Sequence, residues 1–157
     1  MSREHNIAIT KRMGEAINKE DLSFLNEVFA PDVVDHDPAP IQGKGPEGFV
    51  QLFAHFRTAF PDLKIAIEEM VADEDKVAIA CTVTGTQHGP FQGFPATGTR
   101  IKARWVQIAK FNREGKIIER WGSSDEAGIL KQIGAYRPAG TMNGPAAANA
   151  PPSFGQI

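Results

Sequence analysis

Acid/base chemistry beside a carbonyl requires a base for the adjacent proton, a donor for the oxygen that gains charge, and a pocket that holds both ends of the substrate. The sequence offers residues for each task. Asp125 stands just ahead of a short apolar helix, where Ser123 and Glu126 have capping-box spacing. That spacing would leave Asp125 inside the first turn as a possible base, although a carboxylate there can equally serve backbone N–H groups. Gln107 shares a strand face with Trp105 and could hold a substrate oxygen or satisfy backbone groups. His36 and His88 could donate to a carbonyl or shuttle a proton, or be structural. Trp105, Trp121, Phe53 and Phe56 could wall a cavity for a flat or apolar molecule, and ordinary core packing is the alternative for each.

The elements that must carry these residues follow from periodicity. Glu4 to Asn18 places Ile9, Met13, Ala16 and Ile17 on one helical stripe. Asp21 is positioned to cap a short second helix, stopped by Pro31, and a short strand follows over Val33–His36 before the turn Asp37-Pro38-Ala39-Pro40. Pro46 opens a third helix, with Phe49, Leu52, Phe53, Phe56, Ala59 and Phe60 on one stripe and Pro61 at its end. Strand periodicity takes over at Leu63. Strands are expected over Lys64–Ala72, Lys76–His88, Arg100–Asn112 and Lys116–Ser123, and the last helix ends at Gly134. In the third of these strands Trp105, Gln107, Ala109 and Phe111 face one way, and Arg104, Val106, Ile108 and Lys110 the other. Helices followed by a run of strands give an α+β pattern, and a curved antiparallel sheet with helices over its concave face would enclose a pocket.

Bulk properties narrow the function classes. The chain has 157 residues, enough for one domain with its own core, expected over residues 1–136. Residues 137–157 are an Ala/Gly/Pro-rich tail with little to bury, for which disorder is expected. Net charge is −2 with the basic residues scattered, which argues against nucleic acid or an anionic membrane as partner. One cysteine, Cys81, and a charged N-terminus point to a cytoplasmic protein. No His/Cys/Asp cluster has zinc spacing, and there is neither a phosphate-binding loop nor a nucleophile elbow. Neither metal nor cofactor is therefore expected.

Short motifs in a fixed order sharpen the reading: His36-Asp37-Pro38, Phe60-Pro61-Asp62-Leu63, Gly85-Thr86-Gln87-His88-Gly89-Pro90-Phe91-Gln92-Gly93, Ala96-Thr97-Gly98, Gly115-Lys116-Ile117, and Trp121-x-x-x-Asp125 ahead of Gln132-x-Gly134. In this order and spacing, over roughly residues 5–135, the chain resembles the SnoaL-like polyketide (ester) cyclases of the nuclear-transport-factor-2-like superfamily. The resemblance implies an α+β cone and cofactor-free ring closure by intramolecular aldol condensation, with an aspartate matching Asp125 as acid/base. It also implies that a polar residue at the level of Gln107 holds substrate oxygens, and that a second copy covers the outer sheet face as a homodimer, which suits Val106 and Ile108. Ala109 stands where the family can carry a polar side chain, and Gln87 stands where many relatives carry histidine. The superfamily also holds lyases, isomerases and proteins without catalysis. A cofactor-independent cyclase, lyase or isomerase, a non-catalytic small-molecule binder and a filled scaffold are thus separate expectations. They are separated by whether a cavity exists and whether Asp125 faces it.

Overall fold

A computed structural model describes residues 2–135 of the chain. Helix α1 (Arg3–Asn18) is followed by a 3-10 turn (Leu22–Phe24), a one-turn helix α2 (Leu25–Val28) and strand β1 (Phe29–Asp35). Helix α3 (Gly45–Ala59) precedes four strands, β2 (Lys64–Ala72), β3 (Lys76–Thr86), β4 (Arg100–Phe111) and β5 (Ile117–Ser124), and α4 (Glu126–Gln132) closes the described region. The Ala/Gly/Pro-rich tail lies outside it.

The strands form one curved, unclosed sheet in the order β1-β5-β4-β3-β2. Three of its four pairings are antiparallel, as expected, but β1 runs parallel to β5, so the sheet is mixed. The first strand also begins earlier than Val33 and contains Pro31. A proline lacks the N–H a central strand must donate, and β1 tolerates it because it is an edge strand with an irregular register between Phe29 and Val34.

The alternation read from the sequence holds through the sheet. Along β3, Val77, Ile79, Cys81 and Val83 are buried, and along β4, Ile101, Ala103, Ala109 and Phe111 are buried on the same inner face. Helices α1 and α3 lie over that face. Phe49 stacks on Phe29 with ring centroids 3.9 Å apart, and Phe56 and Phe60 pack against Phe91 from the loop after β3. Gly85 permits this approach, since a Cβ there would meet the Phe60 Cβ at 2.9 Å.

Polar clamps hold the helix ends. The Arg57 guanidinium donates to the carbonyls of Ile17, Asn18 and Leu63 through Nη2 and of Pro61 through Nη1, joining the ends of α1 and α3 to the start of β2. Asn18 exchanges two hydrogen bonds with the backbone of Ile65. Gln87, fully buried, accepts from the Thr97 N–H and hydroxyl and donates to the carbonyls of Phe94 and Pro95, so it braces the 89–98 loop from within.

Asp62, in the turn after α3, accepts from the Thr86 N–H at 2.6 Å and the Thr86 hydroxyl at 2.8 Å. The backbone N–H of Thr86 is the main cause holding its carboxyl below the ordinary 3.8. A lowered native value contributes stability that is complete above the unfolded value and is lost as pH falls through the native one. Asp62→Asn is therefore expected to be less stable than the parent at pH 7, with the gap closing below about pH 3.8. Urea unfolding at pH 7 and pH 3 measures this, and a gap that stays constant contradicts it.

Candidate functional site

The sheet's inner face, α1 and α3 line a partly open cavity of about 390 Å³. Met13 and Ile17 of α1, Phe53 and Phe56 of α3, and Ile65 and Ile79 of the sheet are among its apolar walls. The loop over residues 37–40 and the β5–α4 junction, residues 122–127, frame the remainder. The volume falls in the range that small-molecule sites occupy.

Four of the polar lining residues, Arg120, Gln107, Gln42 and Asp37, are joined into one network through Asp35 behind the wall. Arg120 on β5 donates from Nε to the Gln107 Oε1 at 2.8 Å and from Nη1 to both carboxylate oxygens of Asp35 at 3.0 and 3.2 Å. The Asp35 side chain is 7% exposed and that of Arg120 19%, so the pair is largely removed from water. Asp35 further accepts from Gln42 Nε2 and from the Asp37 N–H, while Asp37 accepts from the Gly122 N–H. Gln42 in turn accepts from the Ala39 N–H. These bonds fix the 37–42 loop at the cavity edge. Gly122 makes room for the arrangement, because a Cβ at that position would lie 2.3 Å from Arg120 Nη2.

The sequence-derived candidates divide into two groups. Gln107, Trp105, Phe53, Phe56 and Asp125 all line the cavity. Trp105 meets Phe56 edge-on at 5.2 Å and Phe53 at 6.0 Å, and its Nε1 is buried without a hydrogen-bond partner. His36, Trp121 and His88 do not line it, which corrects the expectation that they face the cavity. Trp121 pairs with Ile108 and belongs to the outer sheet face, where His36 stacks on it at 4.7 Å with Nε2 3.8 Å from Glu119. The physical reason is strand parity, since Asp35 and Arg120 take the inward positions and their neighbours must point out. His88 is exposed beyond the end of β3, its N–H donating to the Ala59 carbonyl.

Asp125 needs a second correction. It is itself the N-cap of α4: Oδ1 accepts from the Gly128 N–H at 2.9 Å, and the residue is exposed. The expected Ser123/Glu126 box does not form. Glu126 instead accepts from Gln92 Nε2. The carboxylate lies over Gly128, where a Cβ would stand 2.1 Å from Oδ2. Oδ2 has no hydrogen-bond partner among the described residues, so Asp125 is a capping residue with one uncommitted oxygen at the cavity rim.

Asp35, Arg120 and Gln42 are not singled out by the sequence, and Asp37 only as part of the His36-Asp37-Pro38 motif and its turn. The available signal was a charged residue at the inward parity of two strands, Asp35 and Arg120, which is costly unless the two meet. Cys81 is 3% exposed, and burial pushes its thiol up from the ordinary 9.0, which disfavours the thiolate. Among the described residues no group of three or more His, Cys, Asp or Glu could hold a metal ion, and no helix is long and apolar enough to cross a membrane.

The sequence profile of the SnoaL-like polyketide cyclases matches residues 7–133. The chain belongs to that family. No curated protein sequence matches it. Among solved structures it is similar to TsrD of Streptomyces laurentii, at 25% identity and a TM-score of 0.78, over 87% of this chain and 99% of that one. It is also similar to AclR of Streptomyces galilaeus, a candidate hydroxylase, at 30% identity and 0.76, over 87% and 100% of the two chains. IdmH of Streptomyces antibioticus, a candidate polyketide cyclase, gives 29% identity and 0.73 over 82% and 98%. These neighbours share the α+β cone, and in this chain the Arg120 network lies at its cavity wall.

Removing one partner of a buried ion pair leaves the other charge without compensation. Asp35→Leu is expected to cost about 2–4 kcal/mol, toward the lower end because Arg120 keeps some exposure. The double variant Asp35→Leu/Arg120→Leu should regain most of that loss. Denaturant unfolding of the three proteins checks this, and a double variant less stable than Asp35→Leu contradicts it.

Proposed function

We propose that this chain is a cofactor-independent acid/base enzyme that closes a ring, by intramolecular aldol addition, in a small keto-ester-like substrate. The observation that carries the reading is the amide of Gln107, held by Arg120 at the wall of a mainly apolar cavity. Its Nε2 has no hydrogen-bond partner among the described residues and is available to a substrate carbonyl. A donor fixed in place before reaction, in a site with little water, stabilises developing oxygen charge at no reorganisation cost.

Asp125 is the base in this proposal. Oδ2 takes the proton on the carbon next to the carbonyl bound at Gln107, and the electron pair of that C–H bond passes into the enolate. Gln107 Nε2 holds the enolate oxygen. The enolate carbon then attacks a second carbonyl of the same molecule, a C–C bond forms, and the proton on Asp125 returns to the new alkoxide. A rim carboxylate is a modest base, which suits a carbon flanked by two carbonyls better than a simple ketone. Substrate at the rim would displace the water around Oδ2. Phe53, Phe56 and Trp105 provide apolar walls that fold the chain back on itself.

The exposure of Asp125 and its bond to Gly128 favour a second reading, a binding protein that uses the same cavity without turnover. One variant separates the two. Asparagine retains an N-cap acceptor, so Asp125→Asn is expected to keep the wild-type melting temperature. Ring closure or cleavage of β-keto esters and β-hydroxy ketones should fall by about 10²–10⁴-fold, the usual contribution of a positioned base. Unchanged turnover, or no turnover by the parent on any such substrate, overturns the enzymatic reading.

The proposal extends to a homodimer through the outer sheet face, where Val106 and Ile108 are 44% and 40% exposed near Trp121. Exposed aliphatic residues side by side on a sheet are costly to leave in water. Light scattering should return twice the mass of the chain, and Val106→Lys/Ile108→Lys should return the monomer. A monomeric parent contradicts it.

A further inference from the structure

The Arg120–Gln107 contact has a chemical consequence for what the cavity can hold. A guanidinium carries donors and no acceptor. Its Nε at 2.8 Å from Gln107 therefore requires the amide oxygen to face Arg120, whatever else surrounds the side chain. That bond commits the oxygen to the Arg120 side, and the NH₂ group, which has no partner among the described residues, is the part of the amide left to meet a ligand. Arg120 cannot easily leave this post, because Nη1 is held by both oxygens of Asp35 and the guanidinium occupies space that a side chain at 122 would fill.

We infer that Arg120 is a positioning residue that locks Gln107 as a donor toward the cavity and so restricts ligands to those presenting an acceptor oxygen there. This deepens the proposed function and rests on it, since the restriction matters only if small molecules enter the cavity. Free glutamine amides can turn over and accept instead. A network that ties one face of the amide to an ion pair removes that option. Asp35 matters through Arg120, and Gln42 through Asp35, so the selectivity of the wall is tied to the 37–42 loop at the cavity edge.

The test uses two apolar probes of similar size. Acetophenone offers only an acceptor and indole only a donor. The quantity read is the ratio of the indole Kd to the acetophenone Kd, from NMR titrations of the full chain, and Gln107→Leu supplies the ratio with no amide present. The parent ratio is expected to exceed that of Gln107→Leu by about tenfold, the worth of one hydrogen bond. Arg120→Lys keeps a charge against Asp35 but replaces the rigid planar fork with a rotating ammonium on a flexible stem, which no longer fixes the Gln107 amide in one orientation. Gly122→Ala leaves Arg120 in place chemically and displaces it sterically. In both, the ratio should fall to within about threefold of the Gln107→Leu value, because a released amide can accept from the indole N–H. In the same two variants the Gln107 side-chain amide resonances should shift.

A merely structural Arg120 would weaken both probes together and leave the ratio unchanged, which overturns the inference while the cavity reading stands. A parent ratio equal to that of Gln107→Leu overturns it as well. If the parent binds neither probe, the proposed function fails and this inference falls with it. Should Arg120→Lys not fold, Gly122→Ala alone decides between these outcomes.

Discussion

The Asp35–Arg120 pair is the constraint around which the rest of the site is arranged. Two charges taken from water must find each other with good geometry, and the attraction recovers the desolvation cost only if the remaining lone pairs and protons are satisfied. Cavity-edge groups supply further bonds to both charges: Gln42 and the Asp37 N–H to Asp35, and Gln107 to Arg120. The pair also favours the observed register of β1 against β5, because Asp35 lies opposite Arg120 and a one-residue slip would point one of them outward. Stability, strand register and the orientation of a cavity donor thus rest on one interaction.

The architecture could be read from periodicity to a large extent. β2 has the bounds expected, the two faces of β4 are those assigned, and the phenylalanine stripe of α3 packs inward as its spacing required. Errors gathered at β1. Pro31 argued for an end to regular structure, and nothing local distinguishes a loop from an edge strand whose only partner lies about 85 residues away. A parallel neighbour of that kind is a long-range fact, invisible to a window of ten residues.

The site was less legible, for reasons that differ by residue. Trp105 and Gln107 reach the cavity wall as their parity predicts, because alternation along a strand is a local rule. His36 and Trp121 were misplaced because their chemistry was attractive, whereas parity along β1 and β5 sends them outward to stack on each other. Arg120 and Asp35 were passed over for the opposite reason, being ordinary charged residues whose partner was unknown. For Asp125 the competing cap readings were both on view, and the structure selects the one in which the aspartate itself binds Gly128. The absence of a Cβ at Gly128 is what lets the carboxylate lie over the helix start.

Membership in the SnoaL-like family and the cavity between sheet and helices agree with a cyclase-type role, and the chemistry proposed depends on where a substrate carbonyl sits relative to two side chains. The most direct measurement is a crystal structure with a β-keto ester bound. The account predicts a carbonyl oxygen about 2.7–3.2 Å from Gln107 Nε2, with the carbon between the two carbonyls turned toward Asp125 Oδ2. A ligand seated with a donor against Gln107, or with that carbon facing the apolar wall away from Asp125, would contradict it.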